Sequence, residues 1–113
     1  MLSVHSLPRI EPDPQHGWQV VYWLGEAFDY DIPFRAALAE MVEVLEMEAP
    51  ARVELPPRSS DEDFVEGSLV FGEFRLKTYF EYSLGYLALM SGDRDALEMV
   101  TEKLLPMVSV RSV

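Results

Sequence analysis

The segment Val65-Glu66-Gly67-Ser68-Leu69-Val70-Phe71-Gly72-Glu73-Phe74-Arg75-Leu76-Lys77-Thr78-Tyr79-Phe80 decides the fold. Its centre, Phe71-Gly72-Glu73-Phe74, is a two-residue Gly-X loop of the II′ kind, in which glycine supplies the positive φ that twisted, paired strands require. Folding the chain back at Gly72-Glu73 opposes Phe71 with Phe74, Leu69 with Leu76 and Val65 with Phe80, all apolar. The alternate positions oppose Glu66 with Tyr79 and Ser68 with Lys77. Turn and pattern thus agree on one register, as a half-buried antiparallel sheet requires.

Downstream, Tyr82-Ser83-Leu84-Gly85 interrupts the alternation before Tyr86-Leu87-Ala88-Leu89-Met90, which reads as a bulge or as a turn into a further strand. Ser91-Gly92-Asp93 caps a helix over about 94–105, with Leu97, Val100 and Leu104 facing in and Pro106 stopping it. Residues 107–113 are left as a short strand or a tail.

Upstream, residues 51–63 with Pro56-Pro57 form a polar connection with room for an edge strand at Arg52-Val53-Glu54-Leu55. Before it, Phe34, Ala37, Leu38, Met41, Val42 and Leu45 recur at helical spacing over an arc of about 140°. Asp31 suits the N-cap and Pro33 the first turn, and Pro50 closes a helix of about residues 32–48. Trp18-Gln19-Val20-Val21-Tyr22-Trp23-Leu24, between Gly17 and Gly25, has the aromatic and β-branched content of a strand. Because both its faces carry apolar residues, the expectation is a central strand covered on both sides. Pro8, Pro12 and Pro14 make residues 7–17 read as loop, so 1–17 is expected to be an extended N-terminal segment. The expected fold is α+β: a single domain over 1–113 with a mostly antiparallel sheet of four to five strands packed by two helices.

Composition limits function more than it specifies it. A chain of 113 residues, 49% hydrophobic, has room for one core that buries roughly two-thirds of its unfolded surface. Without cysteine there is no disulfide framework, thiolate metal site or thiol nucleophile. The start, Met1-Leu2-Ser3-Val4-His5, has neither a basic stretch nor an apolar run, so a cytoplasmic protein without a secretion signal is expected.

The residues that carry chemistry elsewhere are not arranged for it here. Neither His5 nor His16 has a His or Asp partner at i+3 or i+4 on a helix, and no metal is expected. Ser59-Ser60 beside Asp61-Glu62-Asp63 lacks a nearby base, and Gly67, Gly72 and Gly85 are spaced for strands and turns rather than for a phosphate loop. Asp29 and Asp31 flank Tyr30, but one is accounted for as a helix cap and the other as a loop acid. No catalytic residue and no cofactor are expected.

Charge is the informative feature. Twenty acidic against nine basic side chains leave a net −11, and residues 10–50 hold nine acidic side chains against Arg35 alone. Such a surplus repels phosphate backbones and anionic lipid, which excludes nucleic acid and membrane as expected partners and favours a basic protein. Glu40, Glu43 and Glu46 form a stripe opposite the apolar arc, and like charges at this spacing cost a few tenths of a kcal/mol per pair. A use that offsets the cost is steering of a basic partner. Asp61, Glu62 and Asp63 make a second cluster, and Asp29, Tyr30 and Asp31 a third with an aromatic anchor. These nine residues are the expected partner-binding set.

Phe64-Val65-Glu66-Gly67-Ser68-Leu69 through Tyr79-Phe80-Glu81-Tyr82-Ser83-Leu84-Gly85-Tyr86-Leu87-Ala88-Leu89-Met90-Ser91 resembles the strand-rich half of small bacterial immunity proteins of contact-dependent inhibition and type VI secretion systems. Trp18 to Trp23 and Asp31-Ile32-Pro33-Phe34 sit where such sequences have an aromatic strand and a helix start, so the likeness spans about 18–105. It implies tight, stoichiometric binding to one cognate toxin domain, such as a basic nuclease, with no catalysis by this chain, which acts as a monomer or homodimer. The competing expectation is a small acidic secretion chaperone that binds an effector segment as a homodimer.

Overall fold

The computed structural model describes residues 2–25, 34–57 and 62–110. The chain runs β1 (Leu2–Val4), β2 (Ile10–Asp13), β3 (Gly17–Trp23), α1 (Phe34–Glu46), β4 (Ala51–Glu54), β5 (Phe64–Phe71), β6 (Phe74–Glu81), β7 (Tyr86–Ser91), α2 (Arg94–Leu104), a 3-10 turn at Leu105–Met107 and β8 (Val108–Val110). Six strands form one antiparallel sheet in the order β2-β3-β7-β6-β5-β4, while β1 and β8 pair in parallel as a separate ribbon.

The β5–β6 hairpin has the expected register, with Phe71 opposite Phe74, Leu69 opposite Leu76, Val65 opposite Phe80, Glu66 opposite Tyr79 and Ser68 opposite Lys77. Gly72 takes φ +58° at the first loop position, where a side chain would be strained. Residues 82–85 are a turn into β7, closed by the Gly85 N–H donating to the Glu81 carbonyl at 2.8 Å with Gly85 at φ +72°. Asp93 caps α2 by accepting from the Ala96 N–H at 3.2 Å, as its position before the helix suggested.

Both helices pack on one side of the sheet, α1 over β4 and β5 and α2 over β3 and β7. On that side Val20, Tyr22, Leu69, Leu76, Phe80, Leu87 and Leu89 meet Leu38, Met41 and Leu45 of α1 and Leu97, Val100 and Leu104 of α2. Phe34, the first residue of α1, stacks on Phe80 with ring centroids 4.2 Å apart, and Tyr82 meets both rings edge-on. Each fully buried side chain of this size contributes about 1.5–3 kcal/mol through removal from water.

Three expectations are corrected. Among the described residues the sheet has six strands, with a further two in the ribbon, rather than four or five. The N-terminal segment is not an extended loop throughout: β1 pairs with β8, and β2 pairs with β3. Pro12 is accommodated because β2 is an edge strand, where a missing N–H need not interrupt a ladder. Finally, among the described residues β3 is covered by helices on one side rather than both, since neither α1 nor α2 packs against the face that carries Gln19, Val21 and Trp23.

Candidate functional site

Strand alternation puts every second residue of the sheet on the side away from the helices. These are Gln19, Val21 and Trp23 of β3, Tyr86, Ala88 and Met90 of β7, Arg75, Lys77, Tyr79 and Glu81 of β6, and Phe64, Glu66, Ser68 and Val70 of β5. Val70, Ala88 and Met90 are buried yet take no part in the helix-side core, because the longer side chains of this open face cover them.

At one end of the face, strand register lines up four side chains directly opposite one another: Trp23 with Tyr86, Tyr86 with Glu81, and Glu81 with Phe64. Tyr79, two residues before Glu81 on β6, fills the space between them. The rings form a continuous row across β3, β7, β6 and β5, with centroids 5.2 Å apart for Trp23 and Tyr86, 6.0 Å for Tyr86 and Tyr79, and 5.8 Å for Tyr79 and Phe64. Tilted and offset pairs at these separations are favourable because ring edges are positive and faces negative. Trp23 is 37% exposed and Phe64 53% exposed, so the ends of the row are open to solvent.

The carboxylate in the row is held in place. The Tyr79 hydroxyl donates to Glu81 Oε1 at 2.7 Å, and the Ser83 hydroxyl donates to Oε2 at 2.9 Å. Burial, then the hydrogen bond to Glu81 and its negative charge, push the Tyr79 phenol well above its usual range, so it stays a donor. Burial, followed by the charges of Glu81 and Asp13, also raises the Tyr86 phenol.

Elsewhere on this face, Glu54 and Glu66 are paired with bases: Arg75 with Glu54 at 2.5 Å, Arg52 with Glu54 at 3.4 Å, and Lys77 with Glu66 at 3.6 Å. The Arg75 hydrogen bond and charge pull the Glu54 carboxyl below its ordinary value. At the β2–β3 turn, His16 Nδ1 lies 2.7 Å from Asp13 Oδ2. Two depressions meet at Tyr86 and Gln19. One, of about 430 Å³, includes Arg9, Glu11, Val21 and Trp23, and the other, of about 390 Å³, includes Asp13, His16, Lys77 and Tyr79. No group of three or more potential metal ligands occurs among the described residues.

Of the residues expected to bind a partner, the described ones lie elsewhere. Asp29, Tyr30, Asp31 and Asp61 fall outside the described residues. Glu40, Glu43 and Glu46 share the outward side of α1, with Glu43 and Glu46 exposed. Glu62 is half-buried beside α1, where it accepts from Arg35 at 3.1 Å and from the Tyr82 hydroxyl at 2.7 Å. Asp63 is exposed, and its carbonyl accepts from the Tyr82 N–H at 3.0 Å. None of these described residues lines either depression of the open face.

The aromatic row escaped the sequence reading, although its signal was present: Phe64 and Tyr79 occupy the mainly polar phase of a hairpin whose other phase is apolar apart from the Gly67–Thr78 pair. No protein-family model matches the chain, and neither a curated protein nor a solved structure is significantly similar to it.

Proposed function

We propose that this chain is an immunity-type binding protein that neutralises a basic toxin domain by forming a tight, stoichiometric complex and makes or breaks no covalent bond itself. The observation that carries the reading is the open sheet face, where Trp23, Tyr86, Tyr79 and Phe64 form one row that no described element covers. Aromatic side chains on a rigid scaffold are the usual anchors of protein interfaces, and clustered exposed apolar surface marks interaction sites. The net charge of −11 supports a basic partner, whose approach it would accelerate by a factor of about 10–1000 at low salt. The toxin class comes from the resemblance of the strand-rich half to immunity proteins.

Co-expression with the C-terminal domain of a large toxin encoded immediately upstream tests this reading. Host growth should be restored and a 1:1 complex should survive gel filtration, with Trp23→Ala and Tyr86→Ala weakening both. Failure to protect, or a complex indifferent to both substitutions, overturns the reading. A free homodimer that dissociates on Trp23→Ala would instead favour the secretion-chaperone alternative.

A further inference from the structure

We infer that Glu81, framed by Tyr86, Tyr79 and Phe64, is a receptor for a guanidinium group, and that the partner's docking segment presents an arginine to it. The inference rests on the open face being a docking surface and names the chemistry of what docks there.

Three observations converge on an arginine. Glu54, Glu66 and Asp13 each have a cationic or imidazole partner, whereas no lysine or arginine among the described residues pairs with Glu81. Its two oxygens are oriented by the hydroxyls of Tyr79 and Ser83, and each oxygen retains a second lone pair for an external donor. Its neighbours in the register row are the rings of Tyr86 and Phe64, with strands about 4.8 Å apart, so a cation on the carboxylate lies between aromatic neighbours.

A planar guanidinium suits this frame better than an ammonium, because it can stack on a ring while donating two parallel N–H groups to one carboxylate. Cation–π attraction then adds to the charge-assisted hydrogen bonds. The chain already makes the same kind of contact on its other side, where the Arg94 guanidinium lies 4.5 Å from the centre of the Trp18 ring. Charge complementarity points the same way, since the chain as a whole attracts cations.

The test uses the whole chain labelled for nuclear magnetic resonance and titrated with acetyl-Gly-Arg-Gly-amide. The lysine peptide and the neutral citrulline peptide serve as comparators at matched ionic strength. The two tryptophan indoles report separately, with Trp23 on the open face and Trp18 on the helix side as an internal reference for folding. Expected are saturable shifts at the Trp23 indole and at the amides of residues 81–86, with arginine bound more tightly than lysine and citrulline not bound. Glu81→Gln should weaken arginine binding at least about fivefold, while Glu43→Gln with Glu46→Gln on α1 leaves it unchanged. Equal shifts from citrulline, unchanged affinity in Glu81→Gln, or shifts centred on α1 would overturn the assignment. Arginine binding without toxin protection would sink the toxin reading alone, and protection without arginine binding would sink the receptor alone.

Discussion

Tyr79 donates its phenolic hydrogen to Glu81 across 2.7 Å, and both side chains project from β6 on the side of the sheet away from the helices. Ionising that phenol would replace a hydrogen bond by two adjacent negative charges. The first prediction follows from the sign of this coupling. Tyr79, Tyr86 and the buried Tyr22 all have phenols raised above the ordinary value of about 10, chiefly by burial. A raised value in the folded state favours the neutral form, so the associated stability is full below pH ~10 and is lost as pH climbs beyond it. Tyrosinate absorbance should therefore show at least these three of the five tyrosines resisting ionisation until the protein unfolds in alkali. In Glu81→Gln, Tyr79 should ionise at lower pH. Titration of all five near pH 10 with native circular dichroism would refute the coupling.

A second prediction concerns Gly67, which faces the end of β4 so closely that an added Cβ would lie 2.4 Å from the Glu54 carbonyl oxygen and 2.5 Å from Leu55 Cδ2. Backbone cannot yield as a flexible side chain does, so Gly67→Ala should destabilise by about 2–3 kcal/mol through overpacking. Gly92→Ala is the control, since its Cβ would meet nothing nearer than the His16 carbonyl at 3.8 Å. It should change stability by no more than about 0.5 kcal/mol. Urea midpoints of the two variants that coincide would refute the contrast.

Thr78, opposite Gly67, is 1% exposed, and its hydroxyl has no hydrogen-bond partner. An unsatisfied buried hydroxyl is a desolvation cost with no return. Thr78→Val keeps the β-branched shape and should raise stability by about 1 kcal/mol. The check is a higher urea midpoint with an unchanged slope, and a lower midpoint would mean that the hydroxyl is satisfied in solution.

The stripe Glu40, Glu43 and Glu46 and the row from Trp23 to Phe64 lie on opposite sides of the sheet, and they should affect binding differently. If the partner docks on the open face, the stripe acts only through its long-range field, which salt screens over about 8 Å at physiological strength. Replacing all three glutamates with glutamine should slow association and flatten its salt dependence while leaving dissociation unchanged. Trp23→Ala should instead speed dissociation by about tenfold or more. Stopped-flow rates at several salt concentrations separate the two. A fast-dissociating triple variant beside an unaffected Trp23→Ala would move the docking surface to α1.

Local sequence determines a good deal of this molecule. The II′-type loop at Gly72-Glu73 and the strict alternation on either side specify the β5–β6 register residue by residue, because a slip of one position would turn Val65, Leu69 and Phe71 towards water. The apolar arcs of α1 and α2 likewise name their buried sides, and Asp93 and Pro106 bound the second helix. Each of these rests on interactions within a few residues or on the periodicity of a single element.

The open face has a different origin. Val21, Trp23, Ala88 and Met90 give β3 and β7 apolar residues on both sides, so nothing in either strand states which side the helices will cover. That depends on where α1 and α2 come to rest, and on the order β3-β7-β6-β5, which brings Trp23 from the distant β3 into one row with Tyr86, Tyr79 and Phe64. Hydrophobic burial rewards covering one side and is indifferent to direction, so the choice emerges only when the strands are assembled.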